Sequence, residues 1–248
     1  MVWLHVPDVA HFLVEQGNRI VVMPSSGVDQ QTLELYLLGN VFGALLHQRG
    51  YLVLHGNVLV RDGRAIAICG HSGAGKSTLS AALLSFSGYS LVSDDLCVLD
   101  TDGQVHPGYP ELKLWRDVVT VLELPIGDMQ PVRAQLEKYS WSLPDRFKAE
   151  PVRLDAIYVL GSDNRAEEPS LETVQGMAKL TPLKAQIYRR HLIEPLGLSK
   201  QHFLLTGKIL GQVALVRVER QLDRPNSGSL RLLAERVAED ALARGLNR

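Results

Sequence analysis

From Leu33 onward the apolar residues recur at helical spacing. Leu33, Leu37, Val41 and Leu45 share one stripe, and Leu38, Phe42 and Leu46 widen it. Such a stripe faces a core only on a helix, so a helix is predicted from Asp29 to about Gln48, with Gly50 placed to end it. Before it, Arg19–Met23 reads as a short strand closed by Pro24 and the turn-forming Ser25-Ser26-Gly27. After it the period shortens. Tyr51–Val60 reads as a strand interrupted at Gly56, and Asp62-Gly63 as a hairpin turn into the apolar run Arg64–Cys69. Lys76–Phe86 is predicted helical. Ser90–Asp95 reads as a strand continued by Leu96–Leu99, and Asp102-Gly103 turns the chain again.

The stretch from Pro107 to Pro151 is rich in proline and reads as irregular, with a short helix at Asp117–Leu124. Leu154–Leu160 has the continuous apolar character of a buried strand, and Asp163–Glu168 that of a charged surface loop. Leu183–Leu192 and Lys200–Gly211 read as helices, Val213–Val218 as a strand and Ser229–Arg244 as an amphipathic helix. The order is mixed α/β without repeats or a clear linker. One domain is expected over residues 1–248, with residues 1–50 packing on it as a strand-and-helix portion.

Composition narrows the classes. Hydrophobic residues are 46% and charged residues 21% of 248, ordinary for a soluble globular chain. A formal net charge of −1 argues against bulk binding to nucleic acid or a membrane surface. No apolar run approaches a membrane span, and the first residues lack a basic and then apolar leader, so a cytoplasmic protein is expected. The 2 cysteines, Cys69 and Cys97, sit in apolar strands and read as buried reduced thiols. No metal-ligand spacing occurs among cysteines and histidines, so any metal should arrive with a nucleotide.

That nucleotide is announced by Gly70-His71-Ser72-Gly73-Ala74-Gly75-Lys76-Ser77-Thr78, a complete GxxxxGK[ST] phosphate-binding loop between a predicted strand and a predicted helix. Its glycines permit backbone conformations that turn successive N–H groups toward an anion. Lys76 would reach the terminal phosphates, and the hydroxyl of Ser77 or its neighbour would ligate Mg²⁺. ATP and Mg²⁺ are the expected cofactors. Downstream, Leu91-Val92-Ser93-Asp94-Asp95 should lie on the next strand and point a carboxylate pair at the γ-phosphate and metal. One of the two would ligate Mg²⁺ and the other accept the proton of an attacking hydroxyl. The short spacing from the loop argues for a compact kinase rather than a transporter or recombinase motor. Candidate cations for the transferring phosphoryl group are Lys138, Arg146, Arg189, Arg190 and Arg217.

Leu54-His55-Gly56, the loop, Leu91–Asp95 and Pro107-Gly108-Tyr109-Pro110-Glu111-Leu112-Lys113-Leu114-Trp115 form an ordered set. It resembles the catalytic domain of bacterial HPr serine kinase/phosphorylases. It is more similar still to the short HPr-kinase-like proteins, including those encoded with lasso-peptide biosynthesis machinery. The resemblance covers residues 30–120 well and the remainder by element order. It implies a fold shared with HPr kinase and, more distantly, phosphoenolpyruvate carboxykinase, with a mixed central sheet flanked by helices. It further implies ATP- and Mg²⁺-dependent phosphorylation of a serine in a small protein or peptide, and assembly into a homo-oligomer. On this footing Lys76 holds phosphates, Ser77 and Asp95 the metal, and Asp94 serves as base. Glu111 supplies a further metal carboxylate, and His55 lies near the phosphates. HPr kinases carry a separate N-terminal domain and a Pro-Val-Arg-Pro-Gly-Arg stretch. Here only Pro131-Val-Arg133 and Pro151-Val-Arg153 share its first three letters. HPr as acceptor and reversal by phosphorolysis are therefore not carried over. Two rivals stand beside the peptide kinase: a kinase for a small metabolite, and a nucleotide-gated binding module without transfer.

Overall fold

In the computed structural model, which describes residues 1–132, 137–162, 168–221 and 226–246, the chain opens with three antiparallel strands in sequential order. These are β1 (Val2–Val6), β2 (Ala10–Glu15) and β3 (Arg19–Pro24). Only the last was expected. Alternation places Val2, Leu4, Phe12, Val14, Ile20 and Val22 on one face, and that face covers Val41, Ala44 and Leu45 of the following helix. The helix predicted as one piece is α1 (Gln30–Tyr36) and α2 (Phe42–Gln48), separated by a π-helical turn at Leu37–Val41. Asp29 caps α1 through the Thr32 N–H at 2.8 Å.

The central sheet is built on two long strands, β4 (Leu52–Arg61) and β5 (Arg64–Gly70). Asp62 and Gly63 join them with φ of 53° and 74°, both positive as a two-residue type I′ hairpin demands. The helix α3 (Lys76–Phe86) follows the loop after β5. Then come β6 (Ser90–Ser93), β7 (Leu96–Leu99), β8 (Gln104–His106), β9 (Glu111–Trp115), α4 (Arg116–Val121), β10 (Gln130–Pro131) and β11 (Lys138–Ser142). The chain closes with β12 (Val152–Leu160), β13 (Ser170–Val174), α5 (Leu180–Ala185), α6 (Ser199–Gln212), β14 (Ala214–Glu219) and α7 (Ser227–Leu246).

The eight-stranded sheet runs β13-β14-β12-β5-β4-β7-β8, with β6 also on β4. It is mixed: β12 is parallel to β5 and β14, whereas β4 is antiparallel to β5. It curls until β8 meets the start of β12 at Val105 and Val152. One face packs against α3, α4 and α7, where Leu79, Leu83, Val118, Leu233 and Val237 are buried. The other packs against α5 and α6 through Leu183, Leu205 and Ile209. Among the described residues no helix is long and apolar enough to cross a membrane.

Four expectations need correction. β4 runs unbroken through Gly56. Pro107–Pro151 is not merely irregular, because β9, β10 and β11 pair there as a second small sheet. The strand predicted over Ser90–Asp95 ends at Ser93. Leu183–Leu192 is not a helix: α5 stops at Ala185, the Tyr188 N–H donates to the Val53 carbonyl at 2.9 Å, and Gln186 takes the His55 N–H at 2.8 Å. Free backbone groups on the edge of β4 capture this segment, which then reverses at Arg189 with φ of 48°. Arg133 and most of the Asp163–Glu168 loop lie outside the described residues.

Two histidines lock α2 to α6. The His47 and His202 rings meet edge to face at 4.8 Å, and His47 Nε2 donates to the Tyr188 carbonyl at 2.8 Å. Both ring nitrogens of His202 are buried without a partner among the described residues. Burial, with His47 beside it, pushes the His202 pKa down to about 4 from the usual 6.5. The unfolded chain therefore takes up the proton first, and stability is whole above pH 6.5 and lost as pH falls from there toward 4. We expect a loss of about 2 kcal/mol between pH 7 and pH 5 from this group. Urea unfolding of His202→Leu at both values should show that part of the loss removed; an unchanged pH dependence would assign it elsewhere.

Candidate active site

The carboxyl end of β5 delivers the chain into a loop whose shape depends on three glycines. Gly70, Gly73 and Gly75 have φ of 153°, 80° and 78°. At Gly70 a side chain would also press on Ala74 and on the Leu160 carbonyl at 3.1 Å. These conformations are closed or costly to other residues, so the glycine spacing is a requirement of the path. Gly75 immediately precedes α3, and the unpaired N–H groups of the helix start face the loop. Lys76 is 8% exposed and folds back over the loop, its Nζ donating to the carbonyls of Gly70 and His71 at 3.0 and 3.1 Å. Burial lowers its pKa, opposed by the charges of Asp95 and Asp94. His71, Ser72 and Gly73 lie exposed at the loop's tip, while Ala74 is buried.

The Asp pair sits where β6 and β7 part. Val58 pairs with Ser93 and His55 with Leu96, so Asp94-Asp95 bulges outward opposite Gly56-Asn57. Asp95 is in the left-handed region at φ 64°, and three consecutive residues of β4 hold it there. The Gly56 N–H and His55 Nδ1–H both donate to the Asp95 carbonyl at 3.1 Å, and the Asn57 side-chain oxygen accepts the Asp95 N–H at 3.3 Å. Non-glycine residues rarely adopt this conformation, and three converging hydrogen bonds compensate its cost. Asn57 is fully buried and its amide also donates to Ser77 Oγ at 3.5 Å, so one side chain links the bulge to the helix start.

The two carboxylates are not equivalent. Asp95 is half-exposed and pairs with Lys113 Nζ at 3.5 Å. Asp94 turns inward. Its Oδ2 accepts the Lys113 backbone N–H at 3.1 Å, while Oδ1 is buried with no partner among the described residues. Burial first, and the neighbouring Asp95 charge second, raise its pKa to about 7. A carboxyl poised there is suited to taking a proton near neutral pH. His55 is held neutral by burial and by the charge of Lys76, and because Nδ1 donates, its Nε2 carries the lone pair.

The Pro107–Pro110 segment packs directly on this bulge. Gly108 N–H donates to the Val92 carbonyl at 2.9 Å, and a side chain there would strike Ser93 Oγ at 2.6 Å. Beyond it, β9 and β11 present Lys113, Trp115, Lys138 and Ser140 on one face, with Lys138 Nζ 5.8 Å from the Trp115 ring. Glu111 is on this face too, but exposed and accepting from Ser140 Oγ at 2.8 Å. Among the described residues it makes no contact with the Asp pair. Nor do the other basic candidates reach it. Arg146 Nη2 donates to the carbonyls of Leu84 and Tyr89 behind α3, and Arg217 pairs with Glu172 at 3.4 Å. Arg189 stacks on Tyr188, and Arg190 is exposed.

Sequence reasoning thus placed the loop, His55 and the Asp pair, which the fold gathers, and passed over Asn57, Lys113 and Arg220. Asn57 had a legible signal, a lone amide inside the apolar run Leu52–Val60, since buried polar groups need partners. Arg220 had none, because its contact with Ala74 spans 146 positions.

No protein-family profile and no curated protein matches the chain. Among solved structures, the Hpr(Ser) kinase/phosphatase from Coxiella burnetii is similar over 76% of this chain and 94% of that one, with 16% identity and a TM-score of 0.37. At those values the likeness says nothing of chemistry, which rests on the residues.

Proposed function

We propose that the chain transfers the terminal phosphoryl group of ATP to a serine hydroxyl of a peptide or small protein. The observation that carries this reading is Asp94. A buried carboxylate oxygen without a partner and with a pKa near 7 stands one strand away from a glycine loop carrying a buried lysine. On this reading the loop N–H groups and Lys76 hold the phosphates. Asp94 takes the proton of the acceptor hydroxyl, whose oxygen then bonds to phosphorus as the bond to ADP breaks. Ser77 and Asp95 fit a cation held partly by phosphate oxygens and water, which suits Mg²⁺. Among the described residues no three His, Cys, Asp or Glu side chains converge for a metal bound by protein alone. When bound, Mg²⁺ neutralises charge on the phosphates.

The acceptor is argued from the face beside Asp94. Tyr109 and Trp115 are 77% and 51% exposed there, surface that an extended peptide covers. The resemblance of Pro107–Trp115 to the short kinases supports a ribosomally made precursor of the lasso type, with its C-terminal serine as acceptor. To test this, the chain is incubated with γ-labelled ATP, Mg²⁺ and either serine-containing peptides or a panel of hydroxylated metabolites. Label on peptide, lost in Lys76→Met, is the expected result. Label on a metabolite alone would make this a small-molecule kinase, and ATP binding without transfer would leave a nucleotide-gated module.

A further inference from the structure

Behind the loop stands a second buried cation that no carboxylate balances among the described residues. Arg220 follows β14 and is 8% exposed. Its Nη2 donates to the Ala74 carbonyl at 2.6 Å and Nη1 to the Gln221 carbonyl at 3.4 Å, while the buried Nε has no partner among the described residues. Burial alone perturbs it, and among the described residues no carboxylate offsets it. A guanidinium does not shed its proton, so the charge stays. Buried charges ordinarily have a counterion, and here the partners are carbonyl oxygens only, as they are for Lys76.

The contact also has a direction. In a planar trans peptide the carbonyl and the following N–H point opposite ways. Drawing the Ala74 carbonyl toward Arg220 therefore turns the Gly75 N–H away from it, and among the described residues that N–H has no acceptor. Gly75 fits this arrangement twice over. Its φ of 78° favours glycine, and a side chain at this position would lie 2.3 Å from Arg220 Nη2.

We propose that Arg220 is a positioning residue of the phosphate loop. It fixes the Ala74–Gly75 peptide so that the Gly75 N–H meets a bound polyphosphate, whose charge in turn balances the guanidinium. This rests on the phosphate-binding reading of the loop. It is tested on the full chain by calorimetry with ADP and with inorganic tripolyphosphate, at low and high salt. Arg220→Gln is expected to weaken both ligands by about tenfold or more, the worth of one hydrogen bond to a charged group. It should also lower the salt dependence of binding, and leave adenosine binding unchanged. Arg220→Lys keeps the charge but offers one donor geometry, and is expected to keep the salt dependence and lose about threefold in affinity. Wild-type affinity in Arg220→Gln overturns the proposal, as does it in Arg220→Lys should only that variant fold. A loss shared equally by adenosine marks a merely structural role and overturns it too. If the unaltered chain binds neither ADP nor tripolyphosphate, the phosphate reading itself fails, a result separable from any effect of the substitutions.

Discussion

Asp94→Asn will abolish phosphoryl transfer, by about a thousandfold or more, while leaving ATP binding intact and making the protein more stable at pH 8. The first effect follows from removing the group that the proposed reading assigns to take the hydroxyl proton, a contribution of about 10²–10⁴ in rate. The second follows from the cost of keeping that group ionised where it sits. Its folded pKa of about 7 lies above the unfolded 3.8, so its favourable contribution is present in acid and is lost as pH rises through 7. By pH 8 the folded state carries a penalty of about 4 kcal/mol, and by pH 5.5 about half of that. Asparagine keeps an oxygen for the Lys113 N–H and carries no charge. Urea unfolding at the two pH values should show a gain for Asp94→Asn that shrinks in acid. On the proposed reading, kcat/KM of the unaltered protein should climb with pH through about 7. Full activity in Asp94→Asn, or a stability change independent of pH, would remove Asp94 from the role of base.

Gly56→Ala will lower stability by about 3 kcal/mol and reduce transfer with it. The backbone here is extended and would accept alanine; the space would not. A methyl at Gly56 would stand 2.6 Å from Cys69 Sγ and 2.8 Å from the Ile68 carbonyl, in the middle of the β4–β5 pair. Overfilling a packed interior of this kind costs about 1–3 kcal/mol, and neither a main-chain carbonyl nor a buried thiol has room to yield. The displacement falls on the residue that donates to the Asp95 carbonyl and on the one preceding the Gly70–Thr78 loop. Gly127→Ala, where a side chain meets nothing within 4 Å, is the control and should be neutral. Adding Cys69→Ala should relieve the sulfur contact and leave the carbonyl contact. A stable, fully active Gly56→Ala would show that β4 and β5 have slack at this point.

The legible parts of this molecule were those in which a local run of residues decides its own conformation. The helix of Lys76–Phe86, the Asp62-Gly63 hairpin, the buried strand of Leu154–Leu160 and the C-terminal amphipathic helix lie within a residue or two of where their periods placed them. The path of the Gly70–Thr78 loop belongs with them, because its glycines are demanded by that path itself. β1 and β2, by contrast, alternate plainly but are short and separated by turns, and only the helix packed on them makes their inner face a core. Leu183–Leu192 carries a helical pattern that pairing with the exposed edge of β4 overrides.

The sequence alone determined that a lysine-bearing glycine loop stands between a strand and a helix, and that two aspartates come just after the core of the next strand. Only the tertiary structure decided which aspartate turns a carboxylate oxygen inward, and that His55, Gly56 and Asn57 hold its neighbour in a left-handed turn. It also decided that an arginine distant in the chain, following β14 two strands from β5, grips the loop. The reason is physical. Backbone conformation is set by residues adjacent in the chain. Burial, and with it the raised pKa of Asp94 and the enclosed charge of Arg220, is set by strands that pairing brings together from dozens of positions away.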